Sequence, residues 1–296
     1  MRQIALGIIV TGLITTSAFA DEPANTRLVM DSALAGVSFT TPALTQTAPA
    51  PEEPAKKVTV LAGADFPSVY FFRGIRQETD PSFTFQPFVD VGITASDMVT
   101  VNVGSWNSIH SGSTKDAFGA FYESDFYASA AFAAGMVTPK VMYTAYTSPD
   151  DAFNTVHELA FSAAFNDSES AFALSPSVLI AAELGDYGAD GGANKGIYAE
   201  LGVAPGIPMG DDTPFSLTVP LKIGLSLKDY YENPLTEEDD KFGYFSAGVS
   251  ASVPVNDMFE VHGGVQMLLF GDNVLKLYND DESTQFIASV GFGVKF

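Results

Sequence analysis

From Phe215 to Lys228 the chain alternates without interruption. Phe215, Leu217, Val219, Leu221, Ile223, Leu225 and Leu227 share one parity, and Ser216, Thr218, Pro220, Lys222, Gly224, Ser226 and Lys228 the other. Seven apolar residues at strict period two exclude an amphipathic helix, whose apolar positions recur at three and four, and predict a strand with one greasy and one polar face. The same pattern runs through Phe83, Phe85, Val89, Val91 and Ile93, opposed by Thr84, Gln86, Asp90 and Thr94, and again through Phe286, Ala288, Val290, Phe292, Val294 and Phe296. Extended along the chain, it predicts twelve strands, over 58–74, 83–95, 99–109, 121–134, 136–148, 153–166, 170–184, 195–205, 214–228, 242–255, 258–271 and 284–296.

The connections alternate in length. Long ones are expected over 76–82, 111–120, 149–152, 185–194, 229–241 and 272–283, and short ones over 96–98, 135, 167–169, 206–213 and 256–257. An even number of strands, each long enough to cross the hydrocarbon layer at a tilt, with long loops at one end and tight turns at the other, predicts an all-β fold. The expected form is a transmembrane antiparallel up-and-down β-barrel. Closure is a physical requirement, because lipid offers no partner to the free edge of a sheet. A soluble sandwich or lipocalin-like barrel would carry rich charge on its polar faces, whereas here those faces are mostly Ser, Thr, Gly and Ala.

Ahead of Val58 the pattern is different. Arg2, an apolar run from Ile4 to Ile14 and the small-x-small triplet Ala18-Phe19-Ala20 read as a secretory signal peptide over 1–20. The apolar run is shorter than the about 20 residues a membrane-spanning helix needs. Residues 21–57 have the Pro- and Ala-rich composition of a periplasmic linker, leaving 58–296 as the barrel, directed to the outer membrane of a Gram-negative-type bacterium.

Composition sharpens this picture. Aromatic residues make up 12% and charged residues only 17%, so the chain is apolar for an exported protein, yet its apolar residues are dispersed. There is no cysteine, which removes disulfides and thiolate metal sites. A net charge of −22 makes nucleic acid and other polyanions unsuitable partners. No cofactor is implied.

Two segments resemble known families. The alternating end with Phe292, Val294 and Phe296 resembles the C-terminal signature of bacterial outer-membrane proteins, which implies that the barrel-assembly machinery reads these residues as an assembly signal. Val69-Tyr70-Phe71-Phe72-Arg73-Gly74-Ile75-Arg76-Gln77, followed by Phe85-Gln86-Pro87 and Gly104-Ser105-Trp106, is similar to the start of the TorF family of porins. That resemblance covers roughly the first 50 barrel residues and implies a fold more than a substrate.

With the Phe and Leu faces assigned to lipid, opposite parity gives a pore-lining set. Its acids are Asp65, Asp90, Glu123, Asp125, Glu158, Glu183, Glu200 and Glu260; its bases are Arg73, Lys140, Lys222, Lys228 and Lys295, with His262 among them. Eight acids against five bases predict a passive channel for small neutral or cationic solutes. The same charges could instead pair across a filled lumen. Arg73, expected near the outer end of strand one, is placed to meet Glu123 or Asp125, or to latch the first loop. The alternatives in function are a non-conducting barrel serving as a surface or adhesion module, and a barrel enzyme. The three histidines, His110, His157 and His262, are too few and too scattered to suggest the latter, and no catalytic residue is assigned. The acidic loops, with Asp229, Glu232, Glu237, Glu238, Asp239 and Asp240 in one and Asp280, Asp281 and Glu282 in another, are solvated segments or weak divalent-cation sites. No protein metal site is assigned. Lipid and lipopolysaccharide are the expected surroundings.

Overall fold

The computed structural model describes residues 57–168, 170, 173–191, 194–209, 215–233, 236–271 and 278–296. The signal peptide and all but the last residue of the linker lie outside the described residues.

The strands are β1 (Val58–Pro67), β2 (Phe71–Phe72), β3 (Ile75–Arg76), β4 (Gln86–Ser96), β5 (Val99–Ile109), β6 (Phe121–Phe132), β7 (Val137–Thr147), β8 (Val156–Phe165), β9 (Ser177–Leu184), β10 (Ile197–Val203), β11 (Gly206–Ile207), β12 (Ser216–Thr218), β13 (Leu221–Lys228), β14 (Phe242–Pro254), β15 (Phe259–Phe270) and β16 (Thr284–Lys295). One short helix, α1 (Gly112–Phe118), lies between β5 and β6.

Neighbours in sequence pair antiparallel around the wall, and β1 meets β16 with Ala64 opposite Phe292. Phe296 and Val60 add a reciprocal pair of backbone hydrogen bonds at that seam. The result is a closed barrel of twelve antiparallel strands. Two wall positions are each split in two by proline, which has no N–H to give to a ladder. β10 continues into β11 across Ala204-Pro205, and β12 into β13 across Val219-Pro220. Both proline carbonyls still accept, from Val219 and Gly248.

The alternation read from the sequence becomes an inside and an outside. On β16, Phe286 and Val290 are 70% and 62% exposed while their neighbours Ile287 and Ser289 are buried. Val265, Phe126, Leu201, Ile180 and Leu159 stand outward on other strands, and Ser129, Thr144, Ser162, Ser246 and Ser250 inward. A belt of bare Phe, Val, Leu and Ile around a barrel is stable against lipid and unstable against water.

Several expected boundaries differ, three of them with a visible local cause or consequence. The first strand ends at Pro67 rather than running to 74, because the chain leaves the wall there and turns inside. The second begins at Gln86, not 83. The strand expected from 170 begins at Ser177. The Asp167 carboxylate accepts from the Leu174 and Ser175 backbone N–H groups at 2.7 and 2.9 Å, curling this segment into a loop, and Pro176 adds no donor.

The segment that leaves the wall forms a small hairpin inside the barrel. β2 and β3 pair across Arg73 and Gly74, whose φ values of 48° and 83° give the left-handed two-residue turn that suits a hairpin. A side chain at Gly74 would meet the Tyr244 ring at 2.9 Å as well as an unfavourable φ. Phe71 and Ile75 pack with Met142, Leu179, Tyr198, Tyr244, Leu268 and Ile287 from the wall and Tyr230 and Tyr231 from the loop after β13. The half of the lumen nearer the long loops is therefore filled by an aromatic core.

Candidate functional site

At the centre of that core sits a buried cation. Arg73 is 2% exposed, and its two terminal nitrogens donate to the two oxygens of Glu158 at 2.6 and 2.9 Å. One of them also donates to the Tyr230 hydroxyl at 3.0 Å. The guanidinium carbon lies 4.2 Å from the centre of the Tyr198 ring and 4.9 Å from that of Phe72. Glu158 is held in turn by the Tyr146 hydroxyl at 3.1 Å. A buried charge needs a partner and satisfied lone pairs, and this arrangement supplies both. The partner is Glu158 rather than Glu123 or Asp125, because Arg73 rides on the hairpin tip and not on the first strand.

Of the other inward acids, Asp90, Glu123, Asp125, Glu183 and Glu200 are buried along the wall, while Asp65 and Glu260 are partly exposed. Glu200 pairs with Lys222 at 3.1 Å and accepts from Tyr198 and Tyr244 at 2.9 and 2.8 Å. Glu183 accepts from the backbone N–H groups of Ala189 and Gly196, so it organises the loop before β10. Asp90 is held by Asn102 and Tyr127 at 2.6 and 2.8 Å. Glu123 and Asp125 occupy successive inward positions of β6, with Asp125 opposite Trp106 and Tyr146 of the neighbouring strands. Near the end with short turns, His262 bonds Asp65 at 2.7 Å and lies 3.7 Å from Glu260. Lys140 and Lys295 share the inward parity of β7 and β16, while Lys228 sits exposed at the mouth beside Asp229.

A second cluster pins the first loop. Ser108 Oγ is 2.8 Å from His110 Nε2, and His110 Nδ1 faces the Glu78 carboxylate at 3.9 Å. Glu78 accepts from the Tyr70 backbone N–H at 3.3 Å and from Thr84 Oγ1. The three resemble a serine–histidine–acid relay, but Ser108 is fully buried and accepts from Gln86 at 3.3 Å, and Tyr122 stacks on the imidazole with ring centroids 4.4 Å apart. Its evident work is to fasten residues 78–84 to the end of β5. Burial raises the Glu78 carboxyl from 4.5 to about 7 and lowers His110 from 6.5 to about 4, since each charged form loses its water.

Sequence parity found the carboxylates but missed the tyrosines that hold them. Tyr198 shares the face of Glu200, Tyr127 that of Asp125, and Tyr146 that of Lys140, so their inward direction was open to the same argument. Tyr230 and Tyr231 carried no such signal, because they lie in a loop. His110, expected at a loop start, is buried.

Among the described residues no group of three or more His, Asp or Glu side chains is placed to hold a metal ion. No described helix is long and apolar enough to cross a membrane.

No family profile matches the sequence, so the resemblance of Val69–Gln77 to the TorF family rests on those motifs alone. No curated protein matches it. Among solved structures the barrel is similar to the COG4313 outer membrane channel from Pseudomonas putida F1, at 13% identity over 85% of this chain and 100% of the other, with a TM-score of 0.48. It is also similar to the NanC porin, at 10% identity over 81% and 100% of the two chains, TM-score 0.46, and to the KdgM porin, at 7% over 80% and 99%, TM-score 0.43.

Proposed function

We propose that the protein is a porin-like channel of the bacterial outer membrane through which small neutral or cationic solutes diffuse. The observation that carries this reading is the contrast between the two sides of the wall. The outside is a belt of exposed apolar residues, and the inside carries acids on β1, β4, β6, β8, β9, β10 and β15 among Ser, Thr and Gly. A wall of that kind suits water and solute, and its excess of acids raises the local concentration of cations. In this reading the long loops face the cell exterior among lipopolysaccharide and the short turns face the periplasm. Asp65, Asp90, Glu183, Glu200, Glu260, Lys140, Lys222, Lys295 and His262 line the path, and Phe292, Val294 and Phe296 form the segment taken up by the assembly machinery.

Conductance in planar bilayers with a salt gradient tests this. A modest cation preference is expected that shrinks as salt rises, because the Debye length falls from about 10 Å at 0.1 M to about 3 Å at 1 M. An anion preference at low salt would reject the charge assignment.

One observation favours a second reading. The hairpin and its aromatic neighbours occupy the half of the lumen near the long loops, as a barrel serving only as a surface module would tolerate. That reading expects no conductance from the wild type and none when the hairpin is loosened.

A further inference from the structure

The contacts around Arg73 come from four elements other than its own. Glu158 is on β8, Tyr146 on β7, Tyr198 on β10, and Tyr230 in the loop after β13. Removing the hairpin in thought leaves a carboxylate with two oxygens set to receive a planar fork, a phenol at one side, and an aromatic face beneath. This is the chemistry that recognises a guanidinium, which is weakly hydrated, stacks on rings and donates two parallel hydrogen bonds. A compact ammonium would use only part of it.

The tethered occupant does not fit perfectly. Arg73 Nε is a buried donor with no partner among the described residues, so it has lost its water without a replacement bond. Its backbone has φ 48°, uncommon for any residue but glycine. Two further bonds hold the tip, from Tyr231 to the Arg73 carbonyl at 2.8 Å and from Asn279 to the Gly74 carbonyl at 3.3 Å. Both come from loops at the open end of the barrel rather than from the wall.

We propose that Glu158, Tyr198 and Tyr230 form a binding site for a solute bearing a guanidinium group, and that Arg73 is its built-in competitor. The proposal rests on the channel reading and deepens it. A soluble guanidinium entering from the mouth takes the fork of Glu158 and the face of Tyr198. Arg73 then leaves with its hairpin, and the blocked half of the lumen opens.

The experiment uses the full barrel, with methylguanidinium as the probe and methylammonium as the control. In Arg73→Ala the site is vacant, so conductance should rise several-fold over wild type. Methylguanidinium should then lower that conductance in part, to a level still above wild type, and raise the temperature at which the barrel loses its gel-shifted folded form, at concentrations about tenfold below those at which methylammonium acts. In the Arg73→Ala, Glu158→Gln double variant both effects should disappear. Equal responses of the single and double variants would overturn the site, as would equal responses to the two cations. Should no variant conduct, the channel reading fails, while the thermal shift alone still decides whether the cage binds guanidinium. Should Arg73→Ala not fold, Arg73→Lys replaces it. Lysine keeps the charge without the fork, so methylguanidinium should compete about tenfold more readily than against wild type, and no difference would reject the proposal.

Discussion

Glu78 shows how one buried group governs a loop. Its carboxyl is raised to about 7 by burial, so the fold favours its protonated form. The stability it contributes is fully present below its ordinary value of 4.5 and is lost as the pH rises through about 7. His110 runs the other way: its neutral form is favoured, and its contribution is lost as the pH falls from 6.5 through about 4. Glu78→Gln keeps an oxygen for Thr84 and Tyr70 and cannot ionise. Its stability relative to wild type should therefore rise between pH 5 and pH 8.5, by on the order of 1–3 kcal/mol. Unfolding midpoints across pH check this, and a difference that is flat or falls with pH would mean that Glu78 is not desolvated. The sequence drew attention to His110 but not to Glu78, because the two lie on separate loops that only the folded barrel brings together.

Among the elements, the inward hairpin departs most from the sequence reading. Residues 69–76 continue an apolar run from β1, and period two alone carries it on to 74 as wall. What diverts it is the Arg73-Gly74 turn together with the partners waiting inside, above all Glu158, more than 80 residues away. Gly74→Ala adds a side chain against Tyr244 at a φ that non-glycine residues avoid, with a cost of about 1–3 kcal/mol. The hairpin should loosen while the wall, which Gly74 does not join, stays intact. Limited proteolysis after Arg73 and Arg76 should become faster with no change in the strand signal by circular dichroism. Unchanged cleavage would show that the hairpin is fixed by its apolar contacts alone. β12 and β13 make the complementary point. Alternation located their faces correctly, and the single proline within that run, Pro220, breaks the strand at the wall without changing its parity.

At the scale of the whole molecule, two opposite surfaces are separated by one layer of backbone, so a substitution's effect depends on its parity. Val265 on β15 is 59% exposed and opposite Val249, in the outer belt. Val265→Arg should cost about 2–4 kcal/mol if it lies near the midplane of the membrane, whereas Lys222→Gln, which leaves Glu200 with both tyrosine hydroxyls, should cost less. Folding titrations in lipid vesicles measure the two, and an equal cost would contradict a lipid-facing belt. The alternating pattern by itself determined that the chain forms a barrel, how many strands close it and which residues point each way. Those properties follow from the two-residue repeat of a strand and from the need to leave no edge in lipid, and both are local or topological. Tertiary structure alone decided that the lumen is half filled, that Arg73 reaches Glu158, and that tyrosine hydroxyls add to the bonding of Glu158, Glu200 and Asp90. Those outcomes depend on which side chains meet across the barrel, and distance along the chain carries no information about that.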